Sequence, residues 1–335
     1  MLVLAAFPAA AICLIALLFT SCNSKSPTRS NPEGLISPPI GIAFSIPGSE
    51  MTFFDLDECD TVQTQAMNQW AVVSAAINFQ GSRLILADDN TTRIGVFSLP
   101  EFTQISITAI GGVPIDMQLS VTGSHAYIIT ANANFWIFSV SAQRFDTLET
   151  GLNPRRLTLR PPSSNQAWVA CAGNSALYIY NLSNFQPLDT LYFAQIPTSV
   201  AFKPDGAYAY VALQGNPGIV EAFDANTREH IGFMEAGAGP FDLAMSSDGE
   251  WLAATDSLLH RVRFWGLSHL QQWDVGIGAS PDRIRYSSNE HAFFVGCSQR
   301  SHIYRIDTSE EGPILSDSVA IAATVREFVL WETTQ

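Results

Sequence analysis

Thr198-Ser199-Val200-Ala201-Phe202, then Lys203-Pro204-Asp205-Gly206, then Ala207-Tyr208-Ala209-Tyr210-Val211-Ala212: this stretch decides the fold. The first run alternates its side chains between two faces, as a strand does with its period of two. Asp205-Gly206 supplies the positive φ that a tight hairpin needs. The Tyr- and Val-rich third run suits a pleated, half-buried surface. Residues 214–218 form a polar loop, and 219–224 and 229–235 read as two further strands, so one antiparallel unit fills the 43 residues from Pro197 to Pro240.

The unit repeats in both directions. Pro114, Pro154, Pro197, Pro240 and Pro281 recur at spacings of 40, 43, 43 and 41 residues, each opening the same succession of strands and turns. Asp248-Gly249 repeats the hairpin turn in the fifth unit, and Gly81 and Gly123 mark it in the first and second. Four strands at this spacing is the arithmetic of a β-propeller, not of a helical solenoid. Six complete units begin near Val72, Pro114, Pro154, Pro197, Pro240 and Pro281. The chain ends hold complementary fragments: residues 40–46, 50–57 and 61–66 read as three strands lacking a first, and 327–331 as a first strand lacking three. The expectation is an all-β, seven-bladed β-propeller with four antiparallel strands per blade. Its seventh blade is closed by the C-terminal strand with the three N-terminal ones, which removes the open sheet edges.

At Lys203-Pro204-Asp205-Gly206 and Tyr210-Val211-Ala212 the chain resembles the YVTN type of β-propeller repeat of bacterial extracytoplasmic proteins. The likeness extends in pattern over residues 40–335 and is closest in the fourth unit. The third unit departs from it, with Arg160-Pro161-Pro162-Ser163 where the Asp-Gly turn is expected, and no Gly-His/Trp-Asp pairing occurs. The resemblance implies a propeller in an extracytoplasmic compartment. The family spans binding, surface and enzymatic members, so it fixes no activity.

Met1 to Phe19 carries no charged side chain and is dominated by Leu, Ala, Ile and Phe, the composition of a signal peptide or a spanning helix. Leu18-Phe19-Thr20-Ser21-Cys22 resembles a bacterial lipobox, with Phe19 where Leu is usual. That resemblance implies a signal peptide over 1–21, lipidation of Cys22, a tether over 22–39 and the propeller over 40–335. Several acyl chains on one Cys anchor far more firmly than one. The alternative is an uncleaved signal anchor, which Lys25 and Arg29 would orient with its C-terminal side cytoplasmic. The lipobox reading gives a bacterial cell-envelope address, periplasmic or outer-membrane, and Asn23 after the Cys favours the outer membrane by resemblance to that sorting rule.

The net charge of −14 and pI near 4.7 argue against nucleic acid and against docking on anionic lipid by charge. Cys59, Cys171 and Cys297 are widely spaced, form no CxxC or haem motif and read as buried small hydrophobes. The histidines show no HxH or HExxH spacing, and Asp88-Asp89 stands outside any Asp-x-Asp-x-Asp-Gly loop, so neither metal nor cofactor is expected.

Chemistry is sought at the channel. The residue two places after each unit's first position is polar: Ser74, Asp116, Arg156, Ser199, Asp242, Arg283 and Glu327, while the next residue is apolar. Strand alternation places this set as a ring near one end of the channel, with Arg285 close by. Asp116 and Arg156 fall in adjacent blades, as do Asp242 and Arg283. They form either a charged cup with Glu327, Asp116 or Asp242 available as a general base, or interblade ion pairs that fix blade register. The expected function is an envelope-anchored, monomeric, non-enzymatic binding or interaction module that presents a propeller face to a protein, peptide or glycan. The alternative is a lactonase-like hydrolase or isomerase of a small polar substrate.

Overall fold

The computed structural model describes residues 38–46, 50–67, 69–78, 80–321 and 323–332. The signal peptide, Cys22 and all of the tether but its last two residues lie outside the described residues. Within them the chain forms seven four-stranded antiparallel sheets, the blades of a ring. The seventh blade has the order Thr324–Trp331, Ile40–Ile46, Glu50–Asp55, Thr61–Ala66. Ile40 pairs with Trp331 and Phe44 with Glu327, so one C-terminal strand joins three N-terminal ones as expected. One boundary moves. The strand expected over 50–57 ends at Asp55, because the Asp55 carboxylate accepts the N–H groups of Asp57 (2.8 Å) and Glu58 (2.9 Å) and turns the chain.

Blade packing follows from strand periodicity. In Arg83–Asp88 the side chains of Leu84 and Leu86 enter one buried cluster and those of Ile85 and Ala87 the next. Each second strand is therefore apolar on both faces, as in Ala292–Cys297, where every residue is buried. The outcome is seven hydrophobic clusters, one at each junction between adjacent blades. The outermost strands, such as Thr61–Ala66, have one sheet face in water and are mostly exposed.

Every innermost strand starts with a β-bulge. Register shifts fall between Val72 and Ser74, Pro114 and Asp116, Pro154 and Arg156, Pro197 and Ser199, Pro240 and Leu243, and Pro281 and Arg283. In the seventh blade the shift lies opposite Phe44 and Ser45 and skips Arg326. Proline is tolerated at a strand's first residue because its missing N–H is not needed there, and the extra residue bends the strand towards the axis. The third blade's irregular turn is explained by its neighbour. Gly206 of the fourth blade (φ +70°) sits so close to the Pro161 carbonyl that a Cβ would lie 2.0 Å from its oxygen. Arg160 donates across the same junction to the carbonyls of Gly206 (2.9 Å) and Ala225 (3.0 Å).

Cys59, Cys171 and Cys297 are buried and free. Burial pushes Cys59 and Cys297 up to about 12 and Cys171 up to about 11. These three thiols should ignore a thiol reagent at mildly alkaline pH until denaturant is added, since only the thiolate reacts. Rapid labelling of Cys59, Cys171 or Cys297 in the native protein, read by peptide mapping, would contradict this packing.

Candidate functional site: a charged layer across the channel

The bulges bring the ring residues into one layer, and their side chains bind the next blade's backbone. Ser74 Oγ accepts the Met117 N–H (3.0 Å) and donates to Asp116 Oδ1 (3.2 Å). Asp116 Oδ2 accepts the Leu157 N–H (2.9 Å), Ser199 Oγ accepts the Leu243 N–H (3.3 Å), and Asp242 Oδ2 accepts the Ile284 N–H (3.2 Å). Each of these N–H groups belongs to the residue just past a bulge. Buried donors of this kind need partners, and here the preceding blade supplies them.

Charges complete the layer. Asp242 holds Ser199 Oγ at 2.9 Å, Arg156 Nη2 at 3.2 Å and Arg285 Nη1 at 3.0 Å. Burial by itself would raise the Asp242 carboxyl, but Arg156, then Arg285 and Arg283, hold it down at about 2. Burial raises the Asp116 carboxyl, against the pull of Arg156, whose Nη1 lies 3.8 Å away. Glu327, 1% exposed, accepts from Arg285 Nη2 (3.1 Å), Arg283 Nε (3.3 Å) and the Phe328 N–H (3.0 Å).

The ring thus exists; of the two expected pairs Asp116–Arg156 is present at 3.8 Å, and Asp242–Arg283 is replaced. Asp242 is matched by Arg285, not Arg283; Arg283 turns to Glu327 and to the Asp282 carbonyl (3.0 Å). Arg156 lies nearer Asp242, two blades on, than Asp116 in the adjacent blade. Guanidinium side chains are long enough to pass over Ser199, which adjacency in sequence units does not reveal.

The layer divides the channel. Towards the ends of the innermost strands lies a cavity of about 570 Å³, floored by Asp116, Arg156, Asp242 and Arg285 and walled by small residues such as Ala76, Ala201 and Ala244. Towards the strand starts, here the upper end, lies a recess of about 170 Å³ lined by Val73, Ile115, Arg155, Arg156, Thr198, Phe241 and Arg283. Five of these are the bulge residues themselves, absent from the sequence-derived ring. The signal for them was a Pro-x-polar-apolar start in which x also turns towards the axis.

In the loop after Asp88 at the upper end the carboxylates are engaged. Asp88 accepts from Arg93 Nε (3.0 Å) and the Asn90 N–H (2.9 Å), and Asp89 pairs with Arg326. Among the described residues no three His, Cys, Asp or Glu side chains gather as metal ligands would.

No family model matches the chain. Part of it is 26% identical over 176 residues to antigen Lp49 of Leptospira interrogans, a match covering 46% of this chain and 38% of that protein. Solved structures that share the fold include proteins of Desulfotomaculum acetoxidans and Kuenenia stuttgartiensis. A functionally unknown protein from Desulfotomaculum acetoxidans superposes with TM-score 0.75 at 13% identity, over 89% of this chain and 100% of that one. Hydrazine synthase of Kuenenia stuttgartiensis gives 0.68 at 12% identity, over 77% and 89%. At such identities the likeness shows the seven-bladed propeller fold alone.

Proposed function

We propose that this chain is an envelope-anchored, non-enzymatic interaction module of the YVTN propeller type, held at the membrane through lipid on Cys22 and presenting a propeller face to a protein, peptide or glycan. The observation that carries this reading is the saturation of the channel carboxylates. Asp116, Asp242 and Glu327 each accept a backbone N–H and lie within 4.0 Å of a guanidinium. A general base must be free to take a proton from a bound substrate. Carboxylates fixed this way maintain blade register instead, and the loss of either partner would leave a buried charge. The distant relative in Leptospira, an antigen by name, supports an extracytoplasmic address.

The test has two arms. Full-length protein and Cys22→Ala are expressed in a Gram-negative host and fractionated; the parent should partition with membranes and the variant should not. The purified chain is then offered a panel of γ- and δ-lactones, with Glu327→Gln alongside. No turnover above buffer is expected from either. Turnover that Glu327→Gln abolishes would assign the channel to hydrolysis.

A further inference from the structure

The upper recess differs in character from the layer beneath it. Val73, Ile115 and Phe241 give it an apolar wall on the first, second and fifth blades, and guanidinium groups reach it from the third and sixth. Arg155 is exposed and makes no hydrogen bond or ion pair with any of the described residues. Arg156, 6% exposed, spends Nη1 and Nη2 on Asp116 and Asp242 while its buried Nε–H has no acceptor. In a chain with a net charge of −14, the unpaired groups lining this recess among the described residues, Arg155 and the Arg156 Nε–H, are cationic. Arg283 is engaged by Glu327 (3.3 Å) and the nearby Asp282 carboxylate (3.9 Å). Around it stand exposed apolar side chains on the same end of the ring: Leu152 (63%), Leu258 (60%), Val113 and Ile196. Gly173 and Gly239 hold two of these in place, since a Cβ on either would meet Leu152 at 2.8 Å or Leu258 at 2.7 Å.

A recess of 170 Å³ is below the range of roughly 300–1,000 Å³ that takes a whole small-molecule ligand. It fits one carboxylate and one aliphatic or aromatic side chain. Guanidinium groups select carboxylates by their forked geometry, and the apolar wall selects what is attached. The collar of Leu152 and Leu258 extends the apolar surface outward, where further residues of a chain would lie.

We propose that the upper mouth captures the C-terminal carboxylate of a peptide or protein ending in an apolar residue. The carboxylate sits between Arg155 and the Arg156 and Arg283 guanidiniums, and the last side chain lies against Val73, Ile115 and Phe241. Capture of a free chain end is a known mode of peptide recognition. This deepens the interaction-module reading and rests on it.

The test uses the purified full-length chain and fluorescence anisotropy. The probes are labelled hexapeptides of mixed sequence ending in Leu, Val, Ile or Phe, as free acids and as C-terminal amides. The free acids should bind at least about ten-fold more tightly than the amides. Arg155→Ala, at an exposed and partnerless site, should remove most of that preference, and Arg155→Lys should retain part of it. 4-Methylpentanoate should compete and 4-methylpentanamide should not. Equal binding of acid and amide, indifference to Arg155→Ala, or no binding of any probe up to millimolar concentration would overturn the proposal. Binding that ignores the chain end leaves the interaction module standing without this site; Glu327-dependent turnover would instead remove the module reading itself.

Discussion

Deleting residues 326–335 should give a chain that does not form the propeller at all. The deletion removes Phe328 (0% exposed), Trp331 (4%) and Val329 (9%) from two of the seven interblade clusters. At about 1.5–3 kcal/mol for each fully buried large side chain, the loss is about 5–9 kcal/mol, comparable to the whole stability of a typical domain at about 5–15 kcal/mol. Glu332, which pairs with Ser287 Oγ, goes with it. The strand Ile40–Ile46 would then present a bare edge, a template for association. The expected readout is loss of cooperative melting by circular dichroism together with aggregation on size exclusion. A synthetic peptide of residues 323–332 added in trans should restore part of the transition. A monomeric truncated chain that melts like its parent would refute closure by the last strand.

Asp242→Ala should be the most damaging single substitution in the channel. Asp242 accepts from Ser199, Ile284, Arg156 and Arg285, and its own N–H donates to Thr255 Oγ1 (2.9 Å). Removing the carboxylate takes the nearer partner from the buried Arg156 guanidinium and one of two partners from half-buried Arg285, at about 3–5 kcal/mol. Ser199→Ala, which removes a neutral partner, should cost about 1 kcal/mol. Urea unfolding of the two variants checks the ratio. Acid should reproduce the first effect. With the Asp242 carboxyl held at about 2 in the fold, against about 3.9 in an unfolded chain, its contribution is complete above about pH 4. That contribution is lost as pH falls through about 2. Asp116, raised by burial, works in the opposite sense and favours the folded state when protonated. Asp242→Asn should therefore flatten the acid limb of the stability profile, and Asp116→Asn, which removes the opposing contribution, should steepen it.

The blade count was legible because strand and turn chemistry are local. The Pro spacing, Asp205-Gly206 and the one-plus-three split of the ends each depend on a few neighbouring residues. The ring of Ser74, Asp116, Arg156, Ser199, Asp242, Arg283 and Glu327 was legible for the same reason. Its pairing was not. Which acid Arg156 or Arg283 meets depends on channel width and side-chain reach, quantities that exist only once the ring has closed. The upper recess was missed because simple alternation assigns Val73, Ile115, Arg155 and Phe241 to the opposite face from the ring. A bulge breaks alternation and turns two consecutive residues to the axis, so Arg155 and Arg156 line the same recess.

Arg156 has one more property. It starts on the third blade and crosses the axis to Asp242 on the fifth (3.2 Å) and to the Asp282 carbonyl on the sixth (3.4 Å). A closed ring widens as sheets are added to it, much as a barrel's diameter grows with strand number. In an eight-bladed version built by duplicating one unit, those acceptors would recede while the guanidinium kept its length. In a six-bladed version the same side chains would collide. Arg156 therefore acts as a gauge of circumference: its bonds close at one blade number, and tandem duplication of a repeat, the easiest change for such a gene, meets a penalty at the centre of the molecule.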